Sequence, residues 1–455
     1  MFNLFTFSPF RLFAFSPFPL GSVPGAAFKE DNHMNNQEKY AAVILGGGIA
    51  GISTALELAR LGLNVALVEK TPFFGGRAAS LCCKATDVCQ KCGACLVEDR
   101  LKAMFQEPRI TLYAHTELQD CSRHDGAFRV RLLQQPQVIS PERCVDCGLC
   151  LDECPGASQG AIVRTHIVQN HPRFAVVPRH CLYFQDGSCQ VCQQICPPTA
   201  RAIDLAQAEQ VVELAAGAVV VATGFRPADP ACRPHYGYGR LPNVITALEL
   251  EERLRRNGAG LRRKDGRPVQ RLGFIQCVGS RDKDHPYCSQ VCCAYTLRLA
   301  RLLKHRLPQS EIATFYMDLQ NVGRDSDRLH AQARREVREL RALPGDLKAT
   351  ADGTVSLRYL EEESGSAVLA DLDLVVLSVG ISPGGDNAAL ASLLALDLTP
   401  EGFFQAADSR HRSLTSQTGL FLAGTAEGPR DIAGCLTQAQ ATARQVHHYL
   451  KNHEN

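Results

Sequence analysis

Cysteines are the residues in this sequence whose type and spacing point most directly to chemistry. The chain of 455 residues holds 20 of them, in three groups that lie within Cys82–Cys95, Cys144–Cys196 and Cys277–Cys293, with Cys121, Cys232 and Cys435 left alone. The cysteines that form disulfide bonds in small secreted domains are not grouped in this way, and a chain of this length does not need disulfide bonds to form a stable core. The grouping therefore favours thiolate ligands for metal in a reduced, intracellular protein.

The middle group consists of two related runs. The first is CxxCxxCxxxCP, the spacing of bacterial [4Fe-4S] ferredoxins, and the second repeats it with a longer first loop. In two-cluster ferredoxins the fourth cysteine of each run ligates the other cluster. The predicted ligand sets are therefore crossed: Cys144, Cys147, Cys150 and Cys196 for one cluster, and Cys181, Cys189, Cys192 and Cys154 for the other. A pair of structural zinc sites is the alternative, which the two CxxxCP ends in register disfavour.

The last group has the unusual spacing CX10CX3CC, formed by Cys277, Cys288, Cys292 and Cys293. It lies between a predicted strand at 272–275 and a predicted helix at 294–303, where the second βαβ unit of a flavoprotein reductase would bind NAD. Only Gly279 stands between strand and cysteines, so the GxGxxG motif is absent and a pyridine nucleotide is disfavoured here. A redox-active cysteine pair and buried free thiols are alternatives to a metal site.

The first group is CCKATDVCQKCGAC, with cysteines at 82, 83, 89, 92 and 95. CxxCxxC together with Cys82 or Cys83 is chemically adequate for a further cluster, and we predict the set Cys83, Cys89, Cys92 and Cys95. A dithiol redox site, zinc, the absence of any metal, and a cluster shared with a partner all remain open for this group.

A βαβ unit precedes these cysteines and would position them. A short apolar run at 41–45, a glycine cluster, a helical segment to Leu61 and a second apolar run at 65–68 follow one another. Gly46, Gly48 and Gly51 fit GxGxxG, which lets backbone N–H groups approach a pyrophosphate at a helix N-terminus. Glu69 then stands where an acid accepts hydrogen bonds from ribose hydroxyls. The unit predicts dinucleotide binding.

Later motifs are similar to those of the flavoproteins with two dinucleotide-binding domains, and this resemblance implies FAD. They are the segment from Lys70 to Gly75-Gly76-Arg77, the junctions Ala222-Thr223-Gly224 and Ser378-Val379-Gly380, and GLFLAG at 419–424. Relatives place an Asp after the last glycine, whereas this chain has Thr425, so the role passes to Asp431. The resemblance implies cofactor contacts from Gly46, Gly48, Gly51, Glu69, Lys70, Gly76, Arg77, Thr223, Gly224, Gly424 and Asp431.

The strings IQCVGSRD and YCSQVCC, with YMDLQNVG from Tyr316 and FLAGTAEGPRDI, resemble the HdrA-like family, the iron-sulfur flavoprotein subunits of heterodisulfide reductases, over most of 40–450. The resemblance implies a [4Fe-4S] cluster on Cys277, Cys288, Cys292 and Cys293. It implies partners similar to the B and C subunits of heterodisulfide reductase, a hydrogenase or dehydrogenase as electron donor, and flavin-based electron bifurcation. Family members commonly show one CxxC at the Cys92 and Cys95 position, and this chain adds three cysteines there.

These motifs predict an α/β fold, a thioredoxin-reductase-like Rossmann flavoprotein with an inserted two-cluster ferredoxin domain of α+β type. The predicted segments are an N-terminal extension or upstream start (1–36), three parts of an FAD-binding domain (37–137, 205–268 and 369–455), the ferredoxin insert (138–204) and a second Rossmann-like domain (269–368). A targeting segment is the alternative for the extension, although prolines interrupt its apolar stretch.

Composition limits the classes of function. There are 49 Lys and Arg against 47 Asp and Glu, a net charge of +2, which argues against nucleic acid as the main partner. No apolar run is long enough for a transmembrane span. We therefore expect a cytoplasmic oxidoreductase subunit that passes electrons between FAD and [4Fe-4S] clusters within a hetero-oligomer, with dimerisation also open. A stand-alone NAD(P)H-dependent flavin disulfide reductase and a zinc-bound scaffold are the alternatives.

Overall fold

The computed structural model describes residues 38–124, 126–256, 260–320 and 326–453, so the predicted extension at 1–36 lies outside the described residues. The strands are β1 (Glu38–Leu45), β2 (Val65–Glu69), β3 (Ile110–Ala114), β4 (Thr116–His124), β5 (Ala127–Gln134), β6 (Ile162–Arg164), β7 (Phe174–Val176), β8 (Gln210–Val221), β9 (Phe225–Pro227), β10 (Val244–Thr246), β11 (Arg271–Val278), β12 (Glu311–Phe315), β13 (Arg338–Leu340), β14 (Lys348–Ala349), β15 (Val355–Leu360), β16 (Ala367–Leu372), β17 (Leu374–Val379), β18 (Ile381–Pro383) and β19 (Leu420–Leu422). The α-helices are α1 (Ile49–Arg60), α2 (Leu96–Gln106), α3 (Leu149–Asp152), α4 (Leu182–Asp186), α5 (Val191–Ile195), α6 (Ala247–Arg256), α7 (Cys292–Arg306), α8 (Ser326–Glu336), α9 (Asn387–Leu394) and α10 (Ile432–His453).

The first sheet has the strand order β3-β2-β1-β8-β5-β4, with β19 also paired to β8. Strands β1, β2, β3, β8 and β19 are parallel, whereas β5 runs antiparallel to β8 and β4 antiparallel to β5. Helices α1, α2 and α10 pack on one face of this sheet, and α9 packs on the other. This arrangement confirms the predicted α/β class.

The predicted first βαβ unit is confirmed. Strands β1 and β2 pair in parallel with Ala42 opposite Val65, and α1 between them is almost entirely buried. A continuous apolar strand is what burial on both faces of a parallel sheet requires. The helix stops just before Gly62, which adopts φ +84° and ends it as a C-terminal glycine commonly does.

The second sheet is fully parallel, in the order β10-β17-β11-β12-β13. Its core is formed with α6 and α7, and a small antiparallel sheet of β14, β15 and β16 lies beside it. The sheet is wider than the predicted 269–368 segment, because β10 precedes that segment and β17 follows it. Because β10 and β17 lie so far apart in the chain, no local sequence pattern indicates that they pair or where the domain boundary lies.

Two crossovers connect the sheets. Strand β9 follows Ala222-Thr223-Gly224, and β18 follows Ser378-Val379-Gly380; the two strands pair antiparallel, with Ser382 opposite Arg226. The two predicted junctions therefore lie side by side, as expected where a chain leaves one dinucleotide-binding unit and later returns.

The predicted insert (residues 138–204) leaves the first sheet after β5 and returns into β8. Its ends are joined by hydrogen bonds from Asp204 N–H to Val138 O (2.9 Å) and from Ser140 N–H to Ala202 O (2.8 Å). Within it lie the short helices α3, α4 and α5 and the β6–β7 hairpin, packed around an apolar core that includes six of the eight cysteine side chains. Within the described part of the chain, no helix has both the length and the apolar character to cross a bilayer.

Candidate functional site

The glycine turn between β1 and α1 brings backbone segments unusually close together. A Cβ at Gly51 would lie 1.9 Å from the carbonyl oxygen of Gly46, and a Cβ at Gly46 would lie 2.3 Å from the carbonyl oxygen of Ala222. Gly48 differs, because no protein atom lies closer than 4.0 Å to its ideal Cβ position. Gly46 and Gly51 thus serve close packing, whereas Gly48 leaves room for a phosphate group at the N-terminus of α1.

Glu69 closes this turn from the end of β2. Its Oε2 accepts a hydrogen bond from Gly47 N–H at 2.7 Å, and its Oε1 accepts from the backbone and hydroxyl of Thr71 at 2.8 and 2.7 Å. Burial raises the pKa of this carboxyl, and the bonds from Thr71 and Gly47 oppose the rise. Carboxylate oxygens retain further lone pairs, so the predicted ribose contact is compatible with this geometry. Lys70 instead forms a surface ion pair with Asp386 at 2.7 Å.

The other predicted glycines converge on the same turn. The Cα of Gly48 would lie 2.9 Å from a Cβ at Gly76, and a Cβ at Gly424 would lie 2.5 Å from Ala50. Gly224 lies across from the Thr425 hydroxyl, which is 3.9 Å from its ideal Cβ position. The structure therefore assembles segments from 46 to 425 around the start of α1.

The buried hydroxyl of Thr223 indicates that the space beside the glycine turn can accept a dinucleotide. Thr223 Oγ1 is buried and has no hydrogen-bond partner among the described residues, and its backbone nitrogen is only 3.0 Å from the ideal Cβ position of Gly46. Buried polar groups are normally paired. An unpaired hydroxyl beside a glycine turn that leaves room at Gly48 fits the hydroxyls and phosphates of FAD.

Two of the predicted cofactor contacts belong to exposed side chains. Arg77 is exposed in the short 3-10 helix after Gly76. Asp431 is also exposed, and its Oδ1 accepts from Gly434 N–H at 2.7 Å, which makes it the cap of α10. The residue that holds the last glycine is Gln438, whose Oε1 accepts from Gly424 N–H at 2.8 Å. No spacing rule singles out Gln438, so nothing in the local sequence could have revealed it.

Four cysteines of the insert line one cavity: Cys144, Cys147, Cys150 and Cys196. We name them the first insert site. The rest of the lining is largely apolar and includes Phe174 and Ile203. The structure thus brings Cys196 to the three cysteines of the other run, as the crossed ligand set requires.

The remaining insert cysteines form the second insert site, Cys154, Cys181, Cys189 and Cys192. Burial raises the pKa of the Cys192 thiol to about 11, and the neighbouring thiols of Cys181, Cys154 and Cys189 contribute in the same direction. Mutual repulsion of this kind disfavours thiolates in the free protein and is relieved when a metal replaces the protons.

The double-cysteine site contains Cys277, Cys288, Cys292 and Cys293, which line one cavity. Cys277 adopts φ +60°, a left-handed conformation that costs a non-glycine residue roughly 1–2 kcal/mol and tends to occur at functional sites. Cys292 and Cys293 are the first two residues of α7. Burial raises the pKa of both thiols, and neighbouring thiols of the same site add to the rise.

The loop site is the set Cys83, Cys89, Cys92 and Cys95. Burial raises the pKa of the Cys95 thiol, and the nearby Cys92, Cys89 and Cys83 thiols raise it further. Cys82 does not join them; it packs against the core of the second sheet, and burial and then Glu251 raise its pKa to about 12.

Backbone N–H groups approach a sulfur at three of these four sites. The N···S distances are 3.3 Å for Ala202 to Cys196, 3.3 Å for Gln290 to Cys288, 3.4 Å for Gln320 to Cys293 and 3.4 Å for Lys91 to Cys89. Hydrogen bonds to ligand sulfurs are a known feature of iron–sulfur sites, so four-thiol sets with such donors fit [4Fe-4S] clusters. Within the described residues, no three His, Cys, Asp or Glu side chains are arranged for a single metal ion.

Residues that support the loop site were missed in the sequence. Arg298 on α7 donates from Nε to the carbonyl oxygen of Gln90 at 3.0 Å, between Cys89 and Cys92. Lys84, next to Cys83, forms a fully buried ion pair with Glu251 of α6. Both contacts join the loop site to the second sheet, and both link residues too distant in the chain for any local pattern to reveal them.

Comparisons with known proteins agree with this architecture. Residues 41–145 match the FAD dependent oxidoreductase family, DAO. The chain is 34% identical over 421 residues to the second iron-sulfur A subunit of CoB–CoM heterodisulfide reductase from Methanopyrus kandleri, a match that covers 89% of this chain and 63% of that protein. Over about nine tenths of its length the chain is therefore similar to the A subunit of a heterodisulfide reductase. The A subunit of the H(2):CoB-CoM heterodisulfide,ferredoxin reductase of Methanothermobacter thermautotrophicus is 32% identical over 89% of this chain and 63% of its own length.

The predicted resemblance to the HdrA-like family is therefore confirmed, and so is the FAD-dependent oxidoreductase domain. The chain spans somewhat less than two thirds of the length of these curated relatives. Among solved structures, thioredoxin reductase of Lactococcus lactis superposes with a TM-score of 0.50 at 13% identity, covering 91% of this chain and 99% of that one. That likeness supports the predicted thioredoxin-reductase-like fold.

Proposed function

We propose that this chain is the flavin-carrying electron-transfer component of a heterodisulfide-reductase-like complex in the cytoplasm. The observation that carries the proposal is the double-cysteine site. Four thiols lie at the end of β11, in the loop that follows it and at the start of α7, the position at which a dinucleotide-binding unit holds a pyrophosphate with glycines. A flavoprotein with thiols there is suited to deliver electrons to clusters rather than to accept hydride from NAD(P)H.

The cofactors supply the redox chemistry when bound: FAD exchanges two electrons, and each [4Fe-4S] cluster exchanges one. The chain contributes binding and positioning. Gly48 and Thr223 are proposed to contact FAD, with Glu69 at the ribose. The proposed cluster ligands are the cysteines of the first insert site, the second insert site, the double-cysteine site and the loop site.

The proposed partners follow from the relatives. Their names describe components of heterodisulfide reductases, one of them with ferredoxin as a second substrate. For this chain we propose partners resembling the B and C subunits of heterodisulfide reductase, with disulfide chemistry on the first of these and a hydrogenase or dehydrogenase as electron donor. Flavin-based bifurcation belongs to the same proposal.

The test is the iron, sulfide and FAD content of the anaerobically purified chain, with EPR spectra of the reduced protein. We expect one FAD and about twelve to sixteen Fe per chain, for three or four clusters. Fewer than about eight Fe would contradict even the insert ligand sets. Rapid bleaching of the flavin by NAD(P)H would favour the stand-alone disulfide reductase instead, and zinc with little iron would favour a structural scaffold.

A further inference from the structure

The β6–β7 hairpin connects the insert to the FAD-binding domain through its loop, residues 165–173. The base of the loop is closed by a hydrogen bond from Thr165 N–H to Arg173 O at 2.9 Å. At its tip, Ile167 is 5% exposed and packs within the apolar core that α1, α2 and α10 form on the first sheet. A residue of the insert is thus part of the core of a different domain.

Asn170 makes the polar half of this attachment. Its Oδ1 accepts from Phe74 N–H at 3.1 Å, while its Nδ2 donates to Phe74 O at 2.8 Å. Both residues are buried, at 4% and 5% exposure. A reciprocal pair of buried hydrogen bonds fixes position and orientation together, because either group would be left unpaired if the loop moved away.

Phe74 belongs to what we call the flavin-binding turn, the glycine turn at 46–51 together with the segment 74–76 that packs against it. It immediately precedes Gly75-Gly76, and its ring lies against Gly47, where an added Cβ would be 2.4 Å from Phe74 Cδ1. Gly75 N–H also donates to Gly47 O at 2.8 Å. Asn170 therefore holds the backbone that packs directly against the first glycine motif.

The other end of the loop holds the first insert site. Arg173 donates from Nε to Asp146 Oδ2 at 2.8 Å, and Asp146 lies between the ligand positions Cys144 and Cys147. The next residue, Phe174, lines the cavity of that site. A loop of nine residues thus contacts both the flavin-binding turn and the segment 144–147 of the first insert site.

We propose that residues 165–173 are a strap that fixes the first insert site relative to the flavin-binding turn, with Asn170 as its positioning residue. The inference rests on the proposed function, since a fixed separation matters only when both cofactors are bound. The strap keeps the separation between the flavin and the cluster of the first insert site constant for electron transfer.

The test compares Asn170→Ala with Val168→Ala, a change at a 71% exposed position of the same loop, in the anaerobic holoprotein. Pulsed EPR measures the distances between the flavin radical and the reduced cluster of the first insert site. Hydrogen exchange measures protection of the peptide that contains Phe74. For Asn170→Ala we expect a broadened distance distribution and at least about 10-fold faster exchange near Phe74, equivalent to about 1.4 kcal/mol. Val168→Ala should match the wild type.

Two further variants separate positioning from general stability. Asn170→Asp keeps the acceptor for Phe74 N–H but sets a buried carboxylate oxygen against Phe74 O, so near pH 7 its effect should be at least as large as that of Asn170→Ala. Arg173→Ala should broaden the distances without faster exchange at Phe74. Unchanged distances in a fully loaded Asn170→Ala protein would overturn the strap, and so would faster exchange spread evenly over the whole chain. A wild-type chain without FAD or iron would overturn the proposed function and the strap together.

Discussion

Arg301 on α7 donates a hydrogen bond to the side-chain oxygen of Gln90 at 3.2 Å, across 211 positions of the chain. The same guanidinium contacts Glu336 at 3.0 and 3.2 Å and Gln332 at 2.9 Å. Because α7 begins at Cys292 and Gln90 lies within the loop site, one helix joins the double-cysteine site to the loop site.

Replacing Arg301 by Ala should therefore loosen the loop site. Gln90 would lose its buried partner and Glu336 its charge partner, and we expect a loss of about 1–3 kcal/mol in the free energy of unfolding. Urea unfolding measures this loss. The control is Arg60→Ala, which removes a surface pair with Glu57 at 2.8 Å and should cost under about 1 kcal/mol. Equal losses in the two variants would contradict the expectation.

The two adjacent cysteines Cys82 and Cys83 give a matched test of the loop site. Cys83→Ser should lower the iron content of the anaerobic protein by about four Fe per chain, because it removes one cluster ligand. Cys82→Ser should leave the iron content unchanged, since that thiol packs beside Glu251 in another core. An unchanged iron content in Cys83→Ser would point to a dithiol or metal-free loop instead.

Substitutions at two glycines of the first motif should affect different properties, stability at Gly51 and FAD affinity at Gly48. Gly51→Ala forces a methyl group against Gly46 O at 1.9 Å, so we expect the apoprotein to lose about 1–3 kcal/mol or more of stability. Gly48→Ala meets no protein atom closer than 4.0 Å and should keep its stability within about 0.5 kcal/mol, while FAD affinity falls at least about 10-fold because the methyl blocks the pyrophosphate. Apoprotein unfolding and FAD titration measure the two effects, and normal FAD affinity in Gly48→Ala would refute the assignment.

His115 should make stability depend on pH. Burial, and then the positive charge of Arg179, lower its pKa to about 4, whereas an unfolded histidine titrates near about 6.5. The folded chain thus binds fewer protons than the unfolded chain between these values, so stability is full above about pH 6.5 and falls as the pH drops toward 4. His115→Asn, which tolerates the φ of +52°, should remove about 1–2 kcal/mol of that dependence after allowance for partial exposure. Parallel urea titrations at about pH 7 and pH 5.5 compare the two proteins; identical pH dependence would exclude His115 as the cause.

Local rules explain what could be predicted from the sequence. The first βαβ unit depends on apolar runs and glycines close together in the chain, and the observed α1 and β2 follow them closely. The thiols of the first insert site line one cavity, as predicted, because the spacing of the motif is the one that places cysteines around a cluster. Helix α10 starts at Ile432 because Asp431 caps it, although Gly434 in its first turn disfavours a helix.

Contacts between distant segments could not be predicted. The pairing of β10 with β17 and the bond between Asn170 and Phe74, 96 positions apart, depend on how whole units dock. Asparagine in a loop is most often a turn residue, so nothing in its local sequence distinguishes Asn170. The same holds for Gln90, whose partners lie on a helix of the second sheet.

The entry and exit of the insert have a consequence for modularity. Strands β5 and β8 are antiparallel neighbours, with Gln134 opposite Gln210, so everything between these two residues is, in topological terms, an enlarged hairpin loop. A segment placed there can be gained or exchanged without re-threading the sheet, as is usual for domain insertions whose ends lie close together. The sheet and the insert can thus diverge separately except where they meet: replacing the insert would leave two buried backbone groups of Phe74 without a partner and would remove Ile167 from the core on the sheet.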